Sequence, residues 1–364
     1  MNNPLHPYED PARRCLPLVN WPEQDRAAWE AAMMPGDIID GTVGAGFHWR
    51  DETREKYRKG YGRWLTFLLR SDKVTGEQHP ADRVTVENVR DYIAELQTQD
   101  VGSWTLWGRL AELLSGIRVM APQKDFQWLR KAVRAYEGTA VDRRNKLQRL
   151  QPAHEILDWA LRRLPEIRRD PSKRDWAGTY RDALAVALLA CCPIRLGNLT
   201  AIEIDGHLKR SASGYMLRFV GPETKTGRPL ALPVPDLLTN PIDTYLADVR
   251  PCLLLGKTSA RLWITRYGDA MNPKAMHLAI TRATERAFGR SINPHLFRDC
   301  AATFVALEDP KHIGIVSPLL GHVDPRTAEA HYIQANQIVA GRRIRSSVAT
   351  LRKTLSAPKR GTSR

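Results

Sequence analysis

From residue 51 the apolar positions of the chain recur with a helical period. Tyr57, Tyr61, Trp64, Leu65, Leu68 and Leu69 fall on one face of a long helix beginning near Glu52. Lys56, Arg58, Lys59, Arg63 and Arg70 lie mostly off that stripe. Shorter periodic segments follow. Thr85 predicts an N-cap for a helix with Val89, Ile93 and Leu96 inward, and Ser103 predicts a cap for Trp104 to Met120, closed by Pro122. A fourth helix over 125–136 carries Phe126, Leu129 and Val133 inward. Upstream, residues 22–34 predict one short helix ended by Met34, Pro35 and Gly36. The four helices of residues 51–138 predict a small all-α domain, with residues 1–50 as an N-terminal extension.

The pattern changes beyond Gly138. Residues 139–150 read as a basic linker in which Arg143, Arg144, Lys146 and Arg149 face only Asp142. Such a strip suits either plain solvation or contact with a phosphate backbone. Helices are predicted near 153–164 and 174–191, the second strongly apolar. Directly after it, in the turn PIRLGNL, comes Arg195, which must find a partner or protrude into a site. GYMLRFV and PLALPVP alternate as a β-hairpin with Lys225 at its tip, and LWIT (262–265) predicts another strand. Helices follow near 236–249 and 273–288. The fold class is therefore mainly α, with a small antiparallel β-sheet in the second domain, 151–340.

Pro294 suits a helix start, and Leu296, Ala301, Phe304, Val305 and Leu307 predict the apolar stripe of that helix. His295 and Arg298, three apart, share a face of its first turn. Read alone, this pair fits either a structural role or a cradle for an anion. The tail, 341–364, holds eight basic residues and no acidic one, with Ile344, Val348, Leu351 and Leu355 at helical spacing. A helix so short needs a surface to dock on, in its own domain or on a neighbouring subunit.

Charge narrows the choice of partner. The formal net charge is +15, which favours a polyanion, nucleic acid first and an anionic membrane surface second. The first 50 residues run the other way, with Arg13, Arg14, Arg26 and Arg50 against seven acidic residues, and make a poor DNA-binding arm. Five cysteines form no CxxC pair or zinc spacing, which fits a reducing compartment. The start lacks a secretory pattern, and the longest apolar run, 183–194, is too short to span a bilayer. The Gly-rich stretch at Gly44 and Gly46 lacks the spacing of a nucleotide loop. A cytoplasmic protein without a membrane partner is expected.

Arg195, Lys225, His295, Arg298, His322 and Tyr332 together have a physical use. Two arginines can hold the non-bridging oxygens of a phosphodiester and stabilise charge growing in its transition state. A tyrosine placed there can serve as nucleophile, with lysine and histidine moving protons. The histidines 295, 312, 322 and 331 have no common metal-ligand spacing, so a metal site is not expected. PIRLGNL, TKTGRPLALPV, HLFR and LLGH resemble, in order, the motif boxes of the tyrosine recombinases of the phage integrase family.

The resemblance covers roughly 150–340 by motif, and the helical region before it is similar in size and position to that family's core-binding domain. It implies a core-binding domain of SAM-like fold plus an α+β catalytic domain. It also implies a site-specific recombinase that works without metal or cofactor on double-stranded DNA, as a homotetramer on paired sites and as a monomer or dimer when free. The implied catalytic set is Arg195, Lys225, His295, Arg298 and His322, with Tyr332 as nucleophile. Arg143, Arg144, Lys146, Arg149, Lys56 and Lys59 are the candidate DNA contacts. A catalytically silent DNA-binding regulator and a DNA-relaxing topoisomerase are alternatives on the same fold. Two departures stand out: Asn198 replaces the acidic residue many members carry three after the first arginine, and His331 occupies the usual tyrosine position.

Overall fold

The computed structural model describes residues 10–37, 39–74, 78–143, 149–167, 169, 175–212, 214–308 and 311. His322, Tyr332, Arg144, Lys146 and the basic tail lie outside the described residues. The chain divides into two units, Met1–Asn145 and Lys146–Arg364.

In the first unit, acidic residues open helix α2 (Asp51–Arg70), where they complement the positive end of the helix dipole. Its stripe of Tyr61, Trp64, Leu65 and Leu68 is buried. Thr85 caps α3 (Val86–Thr98) by accepting the Asn88 N–H. Ser103 behaves differently from the expected cap. It is the first residue of α4 (Ser103–Met120), Gly102 holds the cap position, and the Ser103 hydroxyl bonds the Val141 backbone. Helix α5 (Gln127–Gly138) buries Leu129 and Val133, with Phe126 buried just before it. Gly60 lets α2 cross α4 closely, since a Cβ there would overlap the Glu112 side chain.

This core reaches upstream of residue 51. Helix α1 (Glu23–Met33) contributes Trp29 and Ala32, and Trp21 packs with them against Tyr61. A buried polar cluster ties these segments together. Arg83 pairs with Asp25, which also accepts from the Tyr61 hydroxyl at 2.6 Å, and Arg83 donates to the Gln78 carbonyl at 3.1 Å. Burial, then the Asp25 charge, pushes the Tyr61 hydroxyl well above its ordinary pKa. Described residues between 10 and 50 thus supply part of the first unit's core.

The second unit is built on α7 (Asp175–Cys191), buried on nearly every side and packed against α6 (Ala153–Glu166). Beside it lies a three-stranded antiparallel sheet in the order β1 (Leu208–Ser211), β2 (Gly214–Phe219), β3 (Leu230–Val234). Leu208, Leu217 and Leu232 stand opposite one another across it and are all buried. The expected strand at 262–265 is not part of this sheet. Leu262, Trp263 and Ile264 are all buried, and the backbone makes only isolated bridges, with Leu262 N–H bound to Ile202 and Met271 N–H to Trp263. An apolar run without alternation signals burial but not pairing.

The helical stretch near 236–249 consists of α9 (Thr239–Thr244), a π turn (Tyr245–Val249) and α10 (Arg250–Leu254). It is followed by α11 (Pro273–Phe288), capped by Asn272, and α12 (Pro294–Glu308). The stripe of α12 also differs from expectation. Leu296, Phe297, Cys300, Ala302 and Ala306 are buried, whereas Phe304, Val305 and Leu307 are half-buried. The helix packs on α6, α7 and α11 together, so several of its faces are covered and no single stripe marks the core.

Candidate active site

Arg195 reaches its place through the end of α7. Pro193 and Ile194 are buried in a tight turn closed by Ile194 N–H to the Cys192 carbonyl at 2.7 Å. The chain then enters α8 (Leu196–Ala201), for which Arg195 is the N-cap residue. Its carbonyl accepts the Leu199 N–H at 2.8 Å, and its side chain takes no part in the cap. The guanidinium is half-buried, and that burial lowers its pKa.

Arg298 comes from the other end of the sequence. Asn293 accepts the Leu296 N–H at 3.0 Å and Pro294 takes the first helical position, so α12 starts where an N-cap and a proline both favour it. Arg298 follows one turn later, 4% exposed, and donates to the Pro193 carbonyl at 2.6 Å. That bond latches α12 to the turn that carries Arg195. Burial and then the nearby Arg195 charge pull the Arg298 guanidinium down to about 10, against an opposing contribution from Asp299. Two like charges thus lie near each other in a partly dry place, an arrangement suited to binding an anion. His295, one turn earlier on the same face, is exposed, so the face runs from surface to interior.

Lys225 lies in the turn Thr224–Gly227 between β2 and β3, closed by Gly227 N–H to the Thr224 carbonyl at 3.3 Å. Gly227 has φ +71°, a conformation that favours glycine. The buried Thr224 hydroxyl lies 3.0 Å from the Gly221 carbonyl and 2.7 Å from that of Arg228. Lys225 itself is exposed. Asn198, buried in α8, donates to the Glu223 carbonyl at 3.1 Å and so ties this loop to the helix that Arg195 caps. In the sequence Asn198 stands out only as a departure, and Glu223 and its partner His207 belong to no motif box. A glutamate two residues before the lysine was the one signal available.

The described structure thus brings Arg195 and Arg298 together and tethers the Lys225 loop to them, with His295 at the exposed end. His322 and Tyr332 lie outside the described residues. Among the candidate DNA contacts, Lys56 is exposed with its ammonium 5.5 Å from the Tyr57 ring centroid, and Lys59 pairs with Glu55 at 3.0 Å. Arg143 donates to Asp100 Oδ1 at 2.8 Å and to the Val101 carbonyl at 3.1 Å, and so braces the start of α4. Arg149 is half-buried, and Arg144 and Lys146 are outside the described residues. No group of three or more histidine, cysteine or acidic side chains among the described residues is placed to hold a metal ion.

No family model matches the chain. It is 28% identical over 152 residues to the tyrosine recombinase XerC of Pseudomonas syringae pv. tomato, 42% of this chain and 48% of that protein. It is 26% identical over 161 residues to the tyrosine recombinase XerD of Staphylococcus saprophyticus, 44% of this chain and 52% of that one. The chain spans about half the length of these curated relatives. Among solved structures, it is similar to the XerH site-specific recombinase in a post-cleavage complex with a palindromic difH substrate. The TM-score there is 0.56 at 12% identity, covering 93% of this chain and 98% of that one. It is also similar to the Tn1549 transposon integrase in complex with transposon right-end DNA, with TM-score 0.53 at 13% identity, covering 86% and 98%. The fold is that of the tyrosine recombinases: helical, with a small antiparallel sheet in the second unit.

Proposed function

We propose that this chain, whose fold is that of the tyrosine recombinases, is a site-specific DNA recombinase that cuts and rejoins DNA through Tyr332, in the integration, excision or resolution of a mobile element. The observation that carries the reading is the bond from buried Arg298 to the Pro193 carbonyl, which fixes it to the turn that carries Arg195, so that the two cations form a pair close enough for the Arg195 charge to act on Arg298. Such a pair suits a scissile phosphate, whose negative charge grows as a fifth oxygen approaches.

In this reading the Tyr332 oxygen attacks the phosphorus. A 3′-phosphotyrosyl bond forms, the bond to the 5′-oxygen breaks, and that oxygen leaves as a hydroxyl after taking a proton from Lys225. The phenolic proton passes outward with the help of His295, and His322 joins the arginines around the phosphate. Attack by a 5′-hydroxyl, from the same or a partner duplex, reverses the step and restores the tyrosine, so the bond energy is kept without ATP. Four protomers on two duplexes exchange one pair of strands at a time through a Holliday junction. Lys56 and Lys59 of the first unit and the basic linker lie near phosphates of the duplex.

The test uses nicked duplexes of randomised sequence, which release the short cleaved strand and trap the covalent intermediate. Wild type is expected to form a denaturant-resistant adduct on a recoverable subset of sequences, and Tyr332→Phe none. An adduct that survives in Tyr332→Phe but is lost on changing His331 or Tyr267 moves the nucleophile elsewhere. Sequence-specific binding without any adduct supports a silent regulator instead, and relaxation of any plasmid without strand exchange supports a topoisomerase.

A further inference from the structure

We infer that Asn198, Glu223 and His207 form a positioning network that sets the Lys225 turn at the height of the arginine pair; this inference rests on the recombinase reading. A lysine on an exposed hairpin turn has several rotatable bonds and much conformational freedom to lose before it can protonate one particular oxygen. The bonds inside the loop, from Gly227 N–H and the Thr224 hydroxyl, fix the shape of the turn. They do not fix where the turn sits against α8 and α12.

Asn198 supplies that connection. It lies one turn beyond Arg195 in α8, is 7% exposed, and donates from Nδ2 to the Glu223 carbonyl at 3.1 Å. Glu223 is in turn held by its carboxylate. One oxygen accepts the Val220 N–H at 2.9 Å, and the other lies 3.0 Å from His207 Nε2. The remaining ring nitrogen of His207, Nδ1, accepts the Glu203 N–H at 3.1 Å. Both bonds are satisfied together by the neutral tautomer with its proton on Nε2, which therefore donates to Glu223. The imidazole also packs on Phe219 of β2, with ring centroids 5.0 Å apart. The bond from His207, then that from Val220, lowers the Glu223 pKa, and its carboxylate stays ionised at neutral pH.

The path runs from the backbone of Glu203 through His207 and Glu223 to Asn198. It clamps the chain two residues before Lys225 to the helix capped by Arg195. It also accounts for an amide at 198. A carboxylate there would set acceptor against acceptor at the Glu223 carbonyl, whereas the amide has the donor the carbonyl needs. Asn198, Glu223 and His207 are positioning residues that act through Lys225.

The test compares cleavage of two DNAs, one natural and one with sulfur in place of the 5′-bridging oxygen of the scissile phosphate. A thiolate leaves without taking a proton, so the sulfur DNA removes the need for Lys225. Asn198→Asp, which is isosteric, and Glu223→Ala, at an exposed position, are measured beside Lys225→Ala and Arg195→Ala. Both test variants are expected to cut the oxygen DNA about 10- to 100-fold more slowly than wild type, and the sulfur DNA within about threefold of it. Lys225→Ala is expected to behave likewise, while Arg195→Ala stays slow on both. Equal losses on both DNAs, or no loss on the oxygen DNA, overturn the network as a positioning device. A wild type that cuts neither DNA overturns the recombinase reading itself and the network with it.

Discussion

Replacing Arg298 by methionine separates the stability of the fold from the chemistry of the site. The substitution keeps most of the side-chain volume and removes a charge that is 4% exposed. The fall of that guanidinium from its ordinary range to about 10 corresponds to roughly 3 kcal/mol set against the charged form in the folded state. Losing its bond leaves the buried Pro193 carbonyl without that donor, at a cost of about 1–3 kcal/mol. The two effects nearly cancel, so the free energy of unfolding in urea at neutral pH should change by no more than about 2 kcal/mol in either direction.

The pH dependence has a definite sign. A base whose pKa is lower folded than unfolded destabilises the fold while protonated in both states, and that penalty fades as pH rises through about 10. The wild type should therefore gain stability relative to Arg298→Met between neutral pH and the alkaline range above 10, and inorganic phosphate should raise the wild-type midpoint more than the variant's. Covalent trapping on nicked DNA should fall by about 10³-fold, the scale for losing one pre-organised donor to a developing oxyanion. If Arg298→Met instead loses about 3–5 kcal/mol of stability, as a broken structural ion pair does, and still forms adduct, the anion-site reasoning is wrong.

Other consequences concern the first unit. Asp25→Ala strands the Arg83 charge in the core and should cost about 3–5 kcal/mol in urea unfolding of the intact chain; a loss under 1 kcal/mol contradicts the packing of α1 described above. Gly60→Ala forces a methyl into the Glu112 side chain where α2 crosses α4 and should cost about 1–3 kcal/mol, read as a lower melting temperature. Affinity for DNA should fall steeply with salt, and Lys56→Ala and Lys59→Ala should each lower the slope of log affinity against log salt by about one. An unchanged slope takes that lysine off the phosphate backbone.

Much of the helical scaffold was legible because its helices are amphipathic. The stripe of α2 and the Thr85 cap are local signals, and local signals are what a sequence displays. The errors share a cause. At 262–265 and along α12 the chain is covered on several sides, so neither alternation nor a single 3.6-residue stripe survives to mark strand or face. Ser103 has the chemistry of an N-cap but spends its hydroxyl on Val141, whose approach is a tertiary event. The bond between Asp25 and Arg83 and that between Asn198 and Glu223 join residues far apart in the chain, and no pattern announces them. The site was half legible. His295 and Arg298 alone looked no more catalytic than structural, and only the motif resemblance joined them to Arg195. The structure supplied the physical link, the bond from Arg298 to the turn that carries Arg195.

The most direct measurement is the identity of the residue that carries the DNA. Adducts formed by the wild type on the nicked pool are digested with trypsin and nuclease, and the peptide that retains a nucleotide is sequenced by mass spectrometry. The account predicts a single modified peptide with the phosphate on Tyr332 and linked to a 3′ end. A phosphate on any other residue, or a 5′ linkage, contradicts it.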